Sequence, residues 1–229
     1  MTMPSFRKPS FRLALALLLA FAALASAGVL ENFLPVVGVW RADWENGQEV
    51  LAVDGSAWKR GQAAPQLQQS AVRIFRDKAA VFVTSALAAA NFPLAVCADV
   101  QDFQGGALSV RFKPLAGKSD QAGGIAFDLH ENGDYLVLRA NALESNLILF
   151  RYTNGRRSAL KEVGNAPAPT GAWSELKLVV AGTSLKGFLN GKPLLEYTLD
   201  HPVSGKVGLW SKDDSVALFE GFTARPSGN

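Results

Sequence analysis

The sequence predicts an all-β protein, an antiparallel β-sandwich, and three observations support this prediction. From about residue 93 onwards, hydrophobic and polar residues alternate with a period of two in short runs bounded by turn residues. Asn-Gly pairs at 132–133, 154–155 and 190–191 separate such runs and are typical of tight type I′ hairpins. No helical pattern of 10–15 residues separates the runs, which argues against a doubly wound α/β fold.

Residues 1–27 have the three parts of a secretory signal peptide. Arg7, Lys8 and Arg12 form a basic start, an apolar run follows at 13–24, and Ala25-Ser26-Ala27 provides small residues for a peptidase. The alternative is a retained anchor, but the apolar run is short beside the roughly 20 residues that span a bilayer. We expect cleavage after Ala27, one domain over residues 28–229, no later membrane span, and a periplasmic or secreted protein.

The charge balance argues against nucleic acid as a partner. The chain has 23 basic and 20 acidic residues, and three of the basic residues lie in the predicted signal. The remaining 20 basic residues equal the acidic ones, so no positive excess is left to neutralise phosphates. The single cysteine, Cys97, lies in an apolar run and cannot form an internal disulfide, so we expect it to be a buried small hydrophobe.

Along the predicted domain, strands are expected mainly in the C-terminal two thirds. Residues 28–70 have no clear pattern, and 79–90 fits either a short helix or a strand. The alternating runs predict ten strands, at 92–100, 107–113, 124–129, 135–141, 146–152, 176–181, 185–189, 194–199, 207–211 and 216–223.

Few motifs indicate catalysis or metal binding. The two histidines, His130 and His201, are far apart in sequence, which argues against a zinc or transition-metal site. Asp128 and Glu144 are weak candidates for the acid and base of a glycosidase, which need carboxyl groups about 5–10 Å apart. Asp128, Glu131 and Asp134 also fit an ordinary solvated turn.

The polar residues opposite the hydrophobic ones form a candidate ligand-binding face. We expect this face on the concave side of a curved sheet, where Arg and Asp would pair with hydroxyl groups and Trp would stack on a sugar ring. An ordinary outer face with cross-strand Arg–Asp pairs fits the same pattern. The candidate residues are Arg111, Asp128, Arg139, Asn141 and Trp210.

A calcium ion is a further possibility at the connection between two predicted strands. Asn141, Glu144 and Asn146 offer the oxygen ligands that calcium prefers. The alternative is a polar turn in which the Asn side chains bind the backbone.

A set of segments carries a resemblance to known proteins: 123–127, 134–146, 152–157, 173–176, 189–192 and 205–215, followed by Phe219 and Phe222. These segments resemble the C-terminal half of concanavalin-A-like jelly rolls, the fold of many lectins, glucanases and laminin-G-like domains. More specifically, the chain resembles the bacterial exported 3-keto-disaccharide hydrolase family, also described as a domain of unknown function. This resemblance implies sugar derivatives as ligands or substrates, but no catalytic pair of the family maps onto the chain.

Three functions therefore remain open from the sequence. The first is an exported carbohydrate-binding protein that uses the candidate face. The second is a hydrolase of a glycoside or 3-keto sugar, with Asp128 or Glu144 as acid or base. The third is a non-catalytic module that binds a protein partner in the cell envelope.

Overall fold

The computed structural model describes residues 32–59 and 92–227, which are almost entirely β-strand. These residues form one short helix, α1 (Gly55–Lys59), and the following strands. The strands are β1 (Phe33–Val37), β2 (Trp40–Glu45), β3 (Gln48–Asp54), β4 (Leu94–Cys97), β5 (Gly106–Ala116), β6 (Ala122–Leu129), β7 (Tyr135–Asn141), β8 (Asn146–Thr153), β9 (Arg156–Val163), β10 (Ser174–Ala181), β11 (Ser184–Leu189), β12 (Lys192–Thr198), β13 (Lys206–Ser211) and β14 (Val216–Pro226).

The strands form two seven-stranded sheets packed as a sandwich. The first sheet has the order β1-β4-β13-β6-β7-β8-β9, and the second has the order β12-β11-β10-β5-β14-β3-β2. The pairings within both sheets are antiparallel. The predicted all-β antiparallel sandwich is confirmed. The predicted signal peptide at 1–27 and the ambiguous segment at 79–90 lie outside the described residues.

Alternate residues of the strands fill the core between the sheets, as the sequence pattern predicts. On β5, Leu108, Val110 and Phe112 are buried in this core, whereas Arg111 is exposed. Close sheet packing requires a glycine opposite Phe112, because a Cβ atom on Gly123 would lie 2.4 Å from the Phe112 ring. Cys97 is buried and free, and burial raises the pKa of its thiol, so the predicted structural role is confirmed.

Two of the three predicted Asn-Gly hairpins have the expected geometry. Asn154–Gly155 and Asn190–Gly191 have positive φ at both residues, as a type I′ turn requires. At 132–133 only Gly133 has positive φ, so the predicted type I′ turn there is wrong. The reason is the register of the two strands: the last pair of the β6–β7 ladder is Phe127 with Leu136, so the strands are joined by a loop longer than a two-residue turn.

Strands β1, β2, β3 and β9 were not predicted from the sequence. Strand β9 is an edge strand of the first sheet, and its residues are exposed or only half-buried. A strand without a buried face lacks the hydrophobic alternation by which strands are recognised. The ten predicted strands correspond to β4–β8 and β10–β14.

Candidate functional site

A polar pocket opens at the end of the first sheet where β6 leads into β7. Its volume is about 150 Å³, and its lining comes from β6, β7, β8 and the connection between β12 and β13. A cavity of this size holds a single ring-sized molecule. The lining residues that carry polar or aromatic groups are Asp128, His130, Asp134, Tyr135, Arg151, Tyr152, Thr153 and His201. We call this site the Asp128 pocket.

A β-bulge turns Asp128 towards this pocket. Between β6 and β13, Leu129 pairs with Lys206 and Ala126 pairs with Gly208, so two residues of β6 oppose only Val207. Asp128 has φ 53°, in the left-handed region that Asp tolerates better than most residues do. Bulges of this kind often re-aim a side chain next to a functional site.

The carboxylate of Asp128 is buried and brings both histidines together. Its Oδ2 lies 3.0 Å from Nε2 of His201, and its Oδ1 lies 3.3 Å from Nε2 of His130. The backbone N–H of Ser204 donates a further hydrogen bond of 2.8 Å to Oδ1. The Asp128 side chain is only 5% exposed, whereas His130 and His201 are 41% and 47% exposed. The pocket thus has a fixed acceptor at its base and two imidazoles at its rim.

A second carboxylate continues the network from His201 to Arg151. Nδ1 of His201 lies 2.8 Å from Oδ1 of Asp200, and Arg151 donates two hydrogen bonds to Asp200, of 2.6 and 3.1 Å. The bonds to Asp128 and Asp200 raise the pKa of His201, against the opposing effect of burial. The bonds from Arg151 and His201 lower the pKa of Asp200. Both ring nitrogens of His201 therefore face acceptors, which suits the protonated imidazole.

Two stacked tyrosines form the aromatic wall of the Asp128 pocket. The rings of Tyr135 and Tyr152 are 4.9 Å apart and inclined by 16°. The Tyr135 hydroxyl accepts a 3.3 Å hydrogen bond from the indole of Trp210, and burial raises the pKa of Tyr135. Trp210 thus supports the pocket wall from behind and does not itself line the opening.

Three residues of the predicted ligand face do share one side of a sheet. Trp210 pairs with Gly124, which pairs with Arg139, so these positions lie on the side of the first sheet that faces away from the second. Asn141 follows on the same side of β7. We call this side the outer face of the first sheet.

The predicted exposure of that face is wrong. Arg139, Asn141 and Trp210 are 2%, 0% and 1% exposed. Phe92 stacks on Trp210 with the ring centres 5.3 Å apart. Arg139 donates to Glu144 at 2.8 Å and to Asn146 at 2.9 Å, so its guanidinium serves a buried network. A role for these three residues in ligand binding stays a prediction.

Arg111 lies in the other sheet and cannot share a groove with the rest. Strand β5, which carries it, belongs to the second sheet, where Arg111 forms an ion pair with Glu220. Its guanidinium also lies 5.2 Å from the ring centre of Trp173. The expectation of one cleft with all five candidate residues is therefore wrong. The alternation of hydrophobic and polar residues indicates on which side of its strand a residue lies, but it does not indicate to which sheet that strand belongs. Of the five, Asp128 lines the Asp128 pocket, and the other four are not among its lining residues.

The two candidate catalytic carboxylates lie at opposite ends of the first sheet. Glu144 follows Asn141, whose strand partner Ala122 begins β6, whereas Asp128 lies near the end of β6. Six residues of strand separate these ends by about 20 Å, well beyond the 5–10 Å of a glycosidase pair. Asp128 and Glu144 therefore cannot act as acid and base on one bond. Asp134 is the second carboxylate of the Asp128 pocket.

The candidate calcium ligands do not fit a cation. Oδ1 of Asn141 accepts a hydrogen bond from the backbone N–H of Leu143, and oxygens of Glu144 and Asn146 accept hydrogen bonds from the Arg139 guanidinium. These oxygens already bind N–H donors, and the guanidinium would repel a metal ion. The geometry agrees with the polar turn considered as the alternative. Within residues 32–59 and 92–227, no group of three or more His, Cys, Asp or Glu residues is arranged to hold a metal ion.

The sequence alone did not reveal the meeting of Asp128, His130 and His201. His201 lies 73 positions after Asp128, in the connection between β12 and β13. The acidic cluster at the β6–β7 turn was the one usable signal, because two of its members, Asp128 and Asp134, do line the pocket.

None of the helices in the described ranges has the length and apolar character needed to cross a bilayer.

Comparison with known proteins identifies the fold. No family model and no curated protein matches the chain. The carbohydrate binding module CBM66 from Bacillus subtilis aligns with a TM-score of 0.59 and 15% identity, over 83% of this chain and 93% of that one. A protein of unknown function with a galectin-like fold, also from Bacillus subtilis, aligns with a TM-score of 0.53 and 14% identity, over 87% and 91%.

A β-glucanase from Bacillus licheniformis aligns more weakly, with a TM-score of 0.43 and 14% identity over 57% of this chain and 69% of that one. The two likenesses with TM-scores above 0.5, at 15% and 14% identity, establish a shared fold and no more. The predicted jelly-roll sandwich is confirmed, whereas membership of the 3-keto-disaccharide hydrolase family is not.

Proposed function

We propose that this protein binds carbohydrate and that the Asp128 pocket holds one sugar unit. The observation that carries the proposal is the convergence of Asp128, His130, His201 and Arg151 around an opening of about 150 Å³. The fold likeness to a carbohydrate binding module supports the same class of ligand. Ligand sites usually combine an apolar wall with a few converging polar groups, and the tyrosine wall completes that combination.

The polar groups of the pocket suit vicinal hydroxyl groups. Asp128 offers carboxylate oxygens as acceptors, and Arg151 offers N–H donors in a fixed planar arrangement. The ring nitrogens of His130 and His201 add groups at the rim that are partly solvated in the free protein. Two neighbouring hydroxyl groups of a sugar can donate a hydrogen bond to Asp128 and accept one from Arg151. Such a pair of hydrogen bonds would fix the orientation of the sugar as well as contribute to its affinity.

A glycan array followed by titration calorimetry tests the proposal. The variant Arg151→Ala should weaken binding at least about tenfold, because a hydrogen bond to a charged group contributes about 1.5–3 kcal/mol. His130→Ala should weaken it as well, and its partly exposed side chain can be removed with little effect on folding. The matched control is Arg111→Ala, which removes another Arg paired with a carboxylate, but on the second sheet.

Two outcomes would contradict the proposal. One is sugar binding that Arg111→Ala abolishes and Arg151→Ala leaves intact. The other is no sugar response across the array together with capture of a protein partner, which would favour an envelope interaction module.

Hydrolysis of a glycoside or 3-keto sugar is the second candidate function. It is favoured by the presence of two carboxylates, Asp128 and Asp134, in the same pocket, with His201 bonded to the buried one. Turnover of 3-keto-glycosides by the wild-type protein, lost in Asp128→Asn with the fold retained, would support it. If no glycoside of a panel is turned over while sugar binding is intact, the hydrolase function is contradicted and only the binding function remains.

We propose in addition that the protein acts outside the cytoplasm, in the periplasm or as a secreted protein. The support is the three-part composition of residues 1–27. Mass spectrometry of the protein from a fractionated bacterial host should find Gly28 as the first residue in the periplasm or medium. An intact N-terminus in the cytoplasm would contradict this.

A further inference from the structure

Two arginines lie close together on the outer face of the first sheet. Arg157 on β9 pairs with Tyr152, whose partner on β7 is Tyr135. Arg139 lies an even number of residues after Tyr135, so both arginines point to the same side of the sheet. Their guanidiniums lie over one ring, that of Phe150, at 5.4 Å from its centre for Arg139 and 4.4 Å for Arg157. We call the surroundings of these two guanidiniums the Arg157 site.

Each of the two guanidiniums has a buried nitrogen without a hydrogen-bond partner. These atoms are Nε of Arg139 and Nη1 of Arg157. Arg139 is 2% exposed, and its own bonds to Glu144 and Asn146 use Nη1. Arg157 is only half-buried, so the site reaches the surface beside it. Because buried N–H groups almost always have a partner, two unpaired donors on neighbouring cations indicate a place for an acceptor.

The positive charge of Arg157 is also uncompensated. In the part of the chain that the structure describes, no ion pair joins Arg157 to a carboxylate. The neighbouring carboxylates of Asp120 and Glu144 are paired with Lys212 and Arg139 instead. Burial lowers the pKa of Arg157, and the charge of Arg139 lowers it further, so the surroundings disfavour the charged guanidinium. A bound anion would offset this cost.

Aromatic rings hold the Arg157 guanidinium in place. Its central carbon lies 4.7 Å from the ring centre of Phe92 and 4.4 Å from that of Phe150, both within the range of cation–π contacts. Phe92 is itself stacked on Trp210 and meets Tyr152 edge-on. A guanidinium held in this way presents its N–H groups in a fixed plane. That arrangement matches the paired oxygens of a carboxylate or phosphate group.

We propose that the Arg157 site binds an oxyanion, the carboxylate or phosphate group of a small molecule. The anion accepts a hydrogen bond from Nη1 of Arg157, and the nearby charge of Arg139 adds to its attraction. A free ion and the acidic group of a sugar present the same oxygens, so the test includes both. The proposal does not depend on sugar binding in the Asp128 pocket, where the arginine is Arg151.

Titration of the whole chain with inorganic phosphate, acetate, glucuronate and glucose tests the proposal. Backbone amide and arginine side-chain NMR signals are followed at constant ionic strength, adjusted with chloride, because salt screens exposed charges. The three anions should shift the Arg157 signals, with dissociation constants on the order of a millimolar for the strongest. Glucose should leave these signals unchanged.

The order of the anion affinities identifies the source of the oxyanion, and either order supports the site. Glucuronate that binds at least about tenfold more tightly than acetate would indicate an acidic sugar. Phosphate that binds most tightly would indicate a free phosphate ion or a phosphate ester.

Substitutions on β9 locate the site. Arg157→Gln removes the charge and the planar donor group and should weaken anion binding at least about tenfold, because hydrogen bonds to charged groups are the strong ones. Arg157→Lys keeps the charge without the planar donors and should weaken it less. Arg156→Gln is the matched control, because Arg156 is the exposed preceding residue and points to the opposite side of the strand. It should leave the affinity unchanged.

The proposal is overturned if none of the anions shifts the Arg157 signals at about 10 mM, ten times the expected dissociation constant. It is also overturned if Arg156→Gln and Arg157→Gln, both folded by their NMR spectra, weaken binding equally, since that result indicates general surface attraction. Arg151→Ala should leave anion binding unchanged. Failure of this proposal can therefore be told apart from failure of sugar binding in the Asp128 pocket.

Discussion

His201 is hydrogen-bonded to Asp128 across 73 residues of sequence, with 3.0 Å between Nε2 and Oδ2. This contact ties the connection between β12 and β13 to the bulged end of β6. His201 lies where the chain leaves β12 of the second sheet and enters β13 of the first, which is the neighbour of β6. The Asp128 pocket therefore needs this connection to be folded against the end of β6.

The first prediction concerns the pH dependence of stability. The carboxylates of Asp128 and Asp200 raise the pKa of His201 in the folded state above its ordinary value of 6.5. The protonated form is thus favoured by folding, so the stabilisation is fully present below pH 6.5. It is lost as the pH rises through the folded-state pKa. We expect the wild-type protein to lose stability over this range relative to His201→Gln.

Urea unfolding between pH 5.5 and 8.5, together with an NMR titration of His201, measures this difference. The effect should be small, because about half of the imidazole is exposed and is screened by solvent. Parallel stability profiles for wild type and His201→Gln would contradict the prediction.

The second prediction concerns the contact between Phe112 and Gly123. Phe112→Ala should reduce the free energy of unfolding by about 3–5 kcal/mol, because it leaves a cavity in the core. Gly123→Ala should cost about 1–3 kcal/mol, because the new methyl group would overlap the Phe112 ring. The cost of Gly123→Ala should be smaller in the Phe112→Ala background.

A double-mutant cycle by chemical denaturation measures this coupling. Additive effects would mean that the two positions do not compete for the same space. Lys186→Ala, at an exposed position of β11, is the control and should change stability by no more than about 0.5 kcal/mol.

The third prediction separates structural from binding roles on the outer face of the first sheet. Glu144→Ala removes the one carboxylate paired with Arg139 among the described residues and leaves a buried guanidinium with Asn146 as a neutral partner. We expect Glu144→Ala to reduce the free energy of unfolding more than Arg139→Met does. In Arg139→Met the remaining carboxylate of Glu144 is 40% exposed and can be solvated without a partner. Loss of the Arg139 bond to Asn146 should cost about 1–3 kcal/mol.

Thermal and urea unfolding compare the two variants, and calorimetry measures their affinity for any sugar found on the array. Unchanged sugar affinity in folded Arg139→Met is expected. Loss of affinity with stability retained would instead return the ligand site to the outer face, as the sequence pattern predicted.

The fourth prediction is that calcium has no effect on this protein. The oxygens of Asn141, Glu144 and Asn146 accept N–H groups, so a cation would have to displace them. Melting temperatures in 5 mM calcium and in excess EDTA should agree within measurement error. A rise of several degrees in calcium would contradict this account of the β7–β8 turn.

The sequence predicted the strands more completely than it predicted the residues of the Asp128 pocket. Strand β5 was recognised because Leu108, Val110 and Phe112 are buried while their neighbours face away. Strand β9 was missed because neither of its sides is buried. The Asp128 pocket could be predicted only in part, since Asp128 and Asp134 flank one turn whereas His201 and Arg151 come from other strands and connections.

The period-two pattern alone determined the all-β fold and most strands, since neighbouring side chains of a strand must point to opposite sides. It also determined that Arg139, Asn141 and Trp210 point away from the core between the sheets. Only the tertiary structure decided that Arg111 lies in the other sheet and that the three residues are buried. Those outcomes depend on which strands become neighbours and which side chains pack against them, and contacts between distant residues leave no trace in a local pattern.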